Sequence, residues 1–149
     1  MAILSSLFTP SEVKLDLAAS SKEEVLAELV GLLGCSSYCQ ATLLRTLRRR
    51  ENLGSTGIGG GVAIPHCRTE AVGDLRVAYG RKAGGLEFNA IDGAPVRHFF
   101  LIAAPPVKAS DNYLNVLAQI AHFVKRPETS SRLGELADAH EFLELIEAS

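Results

Sequence analysis

The order of β-type and helical segments constrains the fold of this chain more than any other feature of its sequence. Three β-type runs, each bounded by Gly, Pro or Asp, occupy the middle of the chain: GVAIP (61–65), LRVAYGR (75–81) and VRHFFLIAAP (96–105). Helical segments lie before, after and between strands. This order predicts an α/β fold with helices on both faces of a sheet, and it leaves the strand order open.

Helical periodicity and capping signals mark five segments. They span 21–34, about 37–52, a stretch that starts near 111, about 128–137, and 140–147. Ser21 with Glu24, and Asp138 with Glu141, have the spacing of capping boxes. In the helix that starts near 111, the apolar residues predict a buried face formed by Leu114, Leu117, Ala118, Ala121 and Val124.

Length and charge limit the classes of protein that fit this chain. With 149 residues and no evident linker, we expect a single domain that spans 1–149. The net charge is −2 with both signs scattered, which argues against binding to nucleic acid or to an anionic membrane. The N-terminus lacks a signal-peptide pattern, no apolar run is long enough to span a membrane, and three cysteines suit a reducing compartment. We therefore expect a cytoplasmic protein.

One arginine of the basic run RTLRRRE (45–51) lies on the apolar side of its helix. At about 100° per residue, Leu43, Leu47 and Arg50 share one narrow face, whereas the other arginines point away from it. Arg50 therefore lies at the C-terminal end of the apolar face, directed toward the loop that follows. It either pairs with a carboxylate or binds an anion such as phosphate, for which its planar fork is suited.

The segment GSTGIGGGVAIPH (54–66) combines five glycines with a short β-type run and a histidine. Glycine allows positive φ and lets backbone N–H groups approach a ligand. The segment is not a P-loop, because no Lys-Ser or Lys-Thr follows the glycines. It is not a dinucleotide fingerprint either, because the order is helix, glycines, strand. A phosphate-holding loop and a plain turn both remain possible.

His66 follows Pro65 at the end of the predicted strand. Because Pro65 donates no hydrogen bond, we expect the strand to fray there and the imidazole to reach a surface cleft. Such a histidine, taken alone, is more often structural than catalytic. Close by in the sequence, however, lie Arg50, the hydroxyls of Ser55 and Thr56, and a run of backbone amides. Together these groups can surround a phosphoryl group carried on the imidazole.

Three motifs resemble the enzyme IIA domains of the bacterial phosphoenolpyruvate-dependent phosphotransferase system, of the fructose/mannitol type that includes the nitrogen-regulatory enzyme IIA. They are RENLGSTGIGGGVAIPH (50–66), HFFLIAAP (98–105) and YLNVLAQIAHF (113–123), and the resemblance extends from about Leu7 to Ile146. It implies a mixed sheet flanked by helices and a phosphotransferase that requires no metal or cofactor. It also implies two partners: an HPr-like carrier that supplies the phosphate, and a IIB domain or regulatory target.

The motif match implies that His66 is the phosphorylated nucleophile and that Arg50 stabilises the phosphoryl group, with Ser55 and Thr56 as neighbours of the site. A cluster of protein donors of this kind fits phosphoryl transfer, which depends on alignment and charge stabilisation.

Two positions depart from the family pattern. Cys67 follows His66 where a small residue such as Gly is usual, and Tyr113 replaces a second histidine at the start of the late helix. Three functions remain open: a phosphocarrier in sugar uptake, a phosphorylation-dependent regulator, and a binding module that is not phosphorylated. Tyr113, and the lack of a fused IIB or membrane domain in this sequence, favour the regulator over the carrier. Either the Tyr113 hydroxyl donates to the phosphoryl group, or the ring only packs in the core.

The remaining histidines and cysteines fit structural roles. Three histidines are expected to be structural or surface residues: His98, His122 and His140. A zinc site built from Cys35, Cys39 and Cys67 is conceivable, but the spacing is not a standard Cys-x2-Cys pair. Cys39 also lies on the apolar face of its helix, so we expect no metal.

Overall fold

The computed structural model describes residues 2–106 and 110–149, arranged around one β-sheet. The helices are α1 (Ala2–Leu7), α2 (Lys22–Leu32), α3 (Ser37–Leu53), α4 (Ser110–Lys125), α5 (Thr129–Gly134) and α6 (Ala139–Glu147). The strands are β1 (Val13–Lys14), β2 (Gly57–Gly59), β3 (Val62–Ala63), β4 (His66–Arg68), β5 (Arg76–Leu86) and β6 (Val96–Ala104). A 3-10 turn (Pro10–Glu12) precedes β1.

Strand β6 lies in the middle of the sheet and is paired along both of its edges. On one side β5 runs antiparallel to it, and on the other side β3 and β4 follow each other in parallel. The strand order in the sheet is β1-β5-β6-β3-β2. Strand β1 is parallel to β5, and β2 is antiparallel to β3. The sheet is therefore mixed, as the resemblance implies.

Helices cover both faces of the sheet, which confirms the predicted α/β arrangement. Helices α2 and α3 pack on one face, where Phe99 and Leu101 of β6 join the core. Helices α1, α4, α5 and α6 cover the other face, against Phe100 and Ile102. Because successive side chains of a strand point to opposite faces, β6 contributes to both cores. In the described part of the chain, no helix combines the length and apolarity that a membrane crossing needs.

The predicted strand 61–65 is shorter than expected, and a second strand follows it. Strand β3 ends at Ala63 and β4 begins at His66, so only Ile64 and Pro65 lie outside the strands. The carbonyl of Pro65 still accepts a hydrogen bond from the amide of Ile102 (3.0 Å). The expectation that the strand frays at His66 is therefore wrong. The missing N–H of Pro65 interrupts the pairing only briefly, and the chain then resumes its contact with β6.

The sequence predicts where the helices begin more accurately than it predicts which of their faces are buried. Ser21 and Asp138 are confirmed as N-caps, and each accepts a hydrogen bond from the amide three residues later. The predicted face of α4 is correct only in part: Leu117, Ala121 and Val124 pack against the core, whereas Leu114 is 61% exposed and Ala118 is exposed as well. The residues of α4 that are buried are Tyr113, Val116, Ile120 and Phe123. They have helical spacing too, and two aromatic rings bury more apolar surface than leucine and alanine do. Helix α5 is also shorter than the predicted 128–137.

Gly57 marks the closest approach between the β2–β3 hairpin and the loop that follows β5. A Cβ atom at this position would lie 2.8 Å from both Cα and Cβ of Ala90. We expect Gly57→Ala to lower the free energy of unfolding by about 1–3 kcal/mol, because the backbone must move to relieve the overlap. The matched control is Gly31→Ala in α2, where nothing lies within 4 Å of the new atom. That change should stabilise by roughly 0.5–1 kcal/mol through helix propensity. Urea denaturation measures both, and equal effects would contradict the close approach.

Candidate functional site

The backbone of β4 places His66 and sets its tautomer. His66 lies opposite Ile102 of β6, and its Nδ1 is 2.7 Å from the carbonyl oxygen of Ile64. A carbonyl oxygen can only accept a hydrogen bond, so Nδ1 carries the proton in the neutral ring. The lone pair of the imidazole is therefore on Nε2, which makes Nε2 the nucleophilic atom.

The surroundings of His66 favour the neutral ring. Partial burial lowers the pKa of the imidazole below its ordinary value, and the positive charge of Arg50 lowers it further. The hydrogen bond to Ile64 and the carboxylate of Glu51 act in the opposite direction but do not reverse the shift. His66 is consequently a neutral base near pH 7.

Arg50 lies where the helical geometry of the sequence predicts. It occupies the last turn of α3, is only partly exposed, and donates from Nη1 to the carbonyl of Gly54 (2.7 Å). Its charge lowers the pKa of both His66 and Tyr113, so it acts on the two side chains together. Arg50 has no carboxylate within ion-pair distance in the described part of the chain, which leaves its charge available for an anion.

Arg68 is a second arginine at the site and is absent from the predicted site residues. Its guanidinium carbon lies 4.3 Å from the ring centroid of Tyr113, and its Nη1 donates to the carbonyl of Pro106 (3.2 Å). The alternation of a strand places His66 and Arg68 on the same face of β4. The sequence hides this signal, because a proline such as Pro65 is typical of the end of a strand.

Tyr113 lies beside the imidazole, with 6.2 Å between the two ring centroids and an angle of 54° between the ring planes. Tyr113 is 6% exposed and therefore belongs to the buried face of α4. Burial raises the pKa of Tyr113 to about 12, with a small opposing effect of Arg68 and Arg50. The hydroxyl therefore keeps its proton at neutral pH and can donate a hydrogen bond to an anion.

Cys67 faces away from the imidazole although it is its neighbour in sequence. It is 5% exposed and belongs to the core between the sheet and helices α2 and α3. Burial raises the pKa of the Cys67 thiol to about 12. A buried, protonated thiol is a poor nucleophile and a poor metal ligand.

The glycine-rich segment forms a β-hairpin, and its tip lies far from the imidazole. Val62, at the end of the tip (59–62), lies opposite His98 of β6. His66 lies opposite Ile102, four residues later on the same strand. That separation is about 13 Å at ~3.3 Å per residue. The amide of Gly60 is bound by the carboxylate of Asp92 (3.1 Å). The glycines of the tip therefore supply no free backbone amides around His66, because hairpin pairing carries them away from the imidazole.

The hydroxyls of Ser55 and Thr56 are engaged by neighbouring protein atoms. The Ser55 hydroxyl donates to the carbonyl of Phe88 (2.6 Å) and accepts from the amide of Gly57 (3.0 Å). Thr56 is 4% exposed, and its hydroxyl bonds to the carboxylate of Glu51. These residues shape the loop after α3, and direct contact of either hydroxyl with a phosphoryl group stays a prediction.

Glu51 is a buried carboxylate at the base of the site and is also absent from the predicted site residues. Its side chain is 4% exposed and pairs with Lys22 (3.1 Å), and it accepts from the amide of Thr56 (3.1 Å). A signal for it exists in the sequence: Glu51 follows Leu47 by four residues and so continues the apolar face of α3. A carboxylate in that position must find partners, and here they fix the loop that follows Arg50.

The other histidines and cysteines stand outside this site. His98 is buried and bonded to the Tyr79 hydroxyl (2.8 Å), while His122 and His140 are exposed, as expected. Among residues 2–106 and 110–149, no group of three or more His, Cys, Asp or Glu side chains could hold a metal ion. The candidate site thus combines a neutral histidine, two guanidinium groups and a phenol.

This arrangement predicts a measurable titration of His66. Its pKa should lie below the ordinary 6.5. Arg50→Gln should raise that pKa, because removing a nearby cation favours the imidazolium form. NMR titration of the ring protons measures both values. Arg49→Gln, an exposed change on the same helix, is the control and should leave the pKa unchanged. An unchanged pKa in Arg50→Gln would show that this arginine does not act on the imidazole.

This chain is similar to known proteins along nearly its whole length. The family model described as "Phosphoenolpyruvate-dependent sugar phosphotransferase system, EIIA 2" matches residues 6–149. A nitrogen regulatory protein of Pseudomonas aeruginosa is 31% identical over 98% of this chain and 96% of its own length. The structure of the nitrogen regulatory protein IIA-Ntr from Neisseria meningitidis has a TM-score of 0.88 at 30% identity, with 97% of this chain and 99% of that chain covered.

A more distant structure has the same fold. It is the complex of enzyme IIAMtl and phosphorylated enzyme IIBMtl from Escherichia coli, with a TM-score of 0.79 at 21% identity. The match covers 95% of this chain and 98% of that one. Members of the matched family are phosphotransferase components, so the expected activity class is confirmed together with the resemblance. This chain belongs to the EIIA 2 family of the phosphoenolpyruvate-dependent sugar phosphotransferase system.

Proposed function

We propose that Nε2 of His66 accepts a phosphoryl group from an HPr-like carrier and passes it to a IIB domain or presents it to a regulatory target. The observation that carries this proposal is the hydrogen bond between Nδ1 and the carbonyl of Ile64. It fixes the ring so that the lone pair is on Nε2. The lowered pKa keeps that lone pair unprotonated near neutral pH.

The transfer is a displacement at phosphorus. The lone pair of Nε2 forms a new P–N bond while the P–N bond to the histidine of the carrier breaks, and the bonding pair returns to that ring. The negative charge spread over the phosphoryl oxygens is stabilised by the guanidinium groups of Arg50 and Arg68. As the ring of His66 gains positive charge, its Nδ1–H bond to Ile64 becomes charge-assisted and stronger.

Protein partners explain the surface next to the site. Leu53 is 83% exposed three residues after Arg50, and Leu114 is 61% exposed directly after Tyr113. Large apolar side chains beside a charged site suit a protein partner that docks over it and buries them. The structurally similar IIAMtl is found in a complex with phosphorylated IIBMtl, which supports a IIB domain as one partner. A cytoplasmic location stays a prediction from the sequence.

A regulatory role is the second candidate, and Tyr113 is the observation that favours it. A protonated phenol donates one hydrogen bond but carries no positive charge, unlike an imidazolium. A phosphoryl group on His66 therefore meets one fewer titratable base than it would beside a second histidine. Such a site can hold the phosphate as a signal instead of passing it quickly to a transporter. A module that is never phosphorylated would have no use for the charge of Arg50.

His66 should be the single phosphorylated residue. Incubation with phosphoenolpyruvate, enzyme I and an HPr-like carrier should add one acid-labile phosphate, measured by intact mass and by loss of label in acid. His66→Ala should abolish the uptake, because no other neutral imidazole lies beside the two arginines. His122→Ala, an exposed change on α4, should leave it intact. Phosphate on His66→Ala would refute the assignment, and no phosphate on the wild-type protein would favour the unphosphorylated binding module.

The Tyr113 hydroxyl should contribute to the transfer. Tyr113→Phe removes only one oxygen, and loss of one neutral hydrogen bond should slow phosphorylation of His66 by about 3–10-fold. The melting temperature should stay nearly unchanged because the ring still fills its place in the core. Tyr38→Phe provides the matched control, since Tyr38 is 76% exposed on α3. Equal rates in the wild-type protein and Tyr113→Phe would leave Tyr113 as a packing residue only.

A further inference from the structure

A cavity separate from the site of His66 lies between the N-terminal half of β6 and helix α5. It has a volume of about 310 Å³, and its polar lining comes from Arg81, Arg97, His98, Ser130 and Ser131. His98 lies four residues before Ile102, the residue opposite His66. At ~3.3 Å per residue, His98 at the cavity is therefore about 13 Å along β6 from Ile102, the residue opposite His66.

The first unusual property of this cavity is the unbalanced charge of Arg81. Its guanidinium donates to three backbone carbonyls: Leu15 (3.1 Å), Leu133 (2.9 Å) and Leu136 (2.9 Å). These bonds hold the side chain in place but do not neutralise it. No carboxylate lies within ion-pair distance of Arg81 in the described part of the chain. A fixed positive charge thus stands beside the cavity.

Arg97 adds a second positive charge of the same kind. Its side chain is exposed, and within residues 2–106 and 110–149 it forms neither an ion pair nor a side-chain hydrogen bond. The charges of both Arg81 and Arg97 act on His98. Two guanidinium groups that lack a carboxylate partner among the described residues are unexpected at one cavity of a protein with a net charge of −2. An anion that enters the cavity would offset both charges.

His98 and the two serines complete a lining of donors. His98 is 3% exposed, and its Nδ1 is bonded to the Tyr79 hydroxyl (2.8 Å), which leaves Nε2 for the cavity. Burial, followed by Arg81 and Arg97, lowers the pKa of His98 to about 4. The hydroxyls of Ser130 and Ser131 lie at the exposed start of α5. No carboxylate is among the described residues that line the cavity.

We propose that this cavity binds a small organic anion with a carboxylate or phosphate group, held by the fork of Arg97 and the fixed charge of Arg81. Its volume is at the lower end of the usual range for ligand sites, about 300–1,000 Å³, so the ligand is a small metabolite instead of a nucleotide. Ser130, Ser131 and Nε2 of His98 hydrogen-bond to its remaining polar atoms. The site is separate from His66, and the proposal does not depend on phosphoryl transfer.

The test is an NMR titration of the ¹⁵N-labelled full chain at constant ionic strength. Inorganic phosphate and succinate are the two probes, which separate a phosphate ligand from a carboxylate ligand, and potassium chloride is the ionic control. We expect saturable shifts at the amides of Arg97, His98, Ser130 and Ser131 with at least one probe. Shifts that increase linearly with both probes, or that match those with chloride, would overturn the proposal.

Variants distinguish this cavity from the phosphoryl site. Arg97→Gln removes the positive charge but keeps a polar side chain, and it should weaken binding of the active probe ~10-fold or more, the loss expected for a charge-assisted contact. Arg49→Gln, also exposed and without an ion pair in the described part of the chain but on α3, should bind as the wild-type protein does. Phosphorylation of His66 should proceed normally in Arg97→Gln, which separates this proposal from the one on His66. Equal affinity in Arg97→Gln and the wild-type protein would refute the site.

Discussion

The pairing of strand β6 along both of its edges is the constraint on which the rest of the structure depends. Residues 98–104 are buried, and they supply alternate side chains to the cores on the two faces of the sheet. Strands β3 and β4 share the edge of β6 that faces away from β5. The register of each strand along β6 therefore determines where its side chains lie on the sheet. His66 is held by this pairing at one end of β6, and the cavity around His98 lies at the other end.

The site holds the neutral imidazole of His66 among positive charges, and the loop after α3 is held in place beside it. Arg50 and Arg68 lie around the imidazole and the phenol, whereas the buried carboxylate of Glu51 is turned toward Lys22 and the backbone after α3. Glu51 thereby orders the chain beside Arg50 without neutralising it. The two arginines can offset the charge of an incoming phosphoryl group, and the histidine need not lose a proton first.

Much of this arrangement could be predicted from the sequence, and the failures have physical reasons. Periodicity placed Arg50 on the apolar face of α3, and the motif singled out His66, because both signals are local. The glycine-rich hairpin could not be placed, since its level on β6 depends on pairing between distant segments. Arg68 and Glu51 were missed because each is defined by what it contacts in space. The face of α4 was misjudged because two overlapping sets of residues have helical spacing, and only the shape of the core decides between them.

The two-residue interruption at Ile64 and Pro65 has a consequence for how this chain can change during evolution. Since β3 and β4 share one edge of β6, the number of residues between them determines which way every side chain of β4 points. Insertion or loss of a single residue there would turn the imidazole into the core and bring the thiol of Cys67 to the surface. The hairpin tip at 59–62 is under no such restriction. Length variation among descendants of this chain should therefore accumulate at the tip and be purged from the short spacer before the histidine.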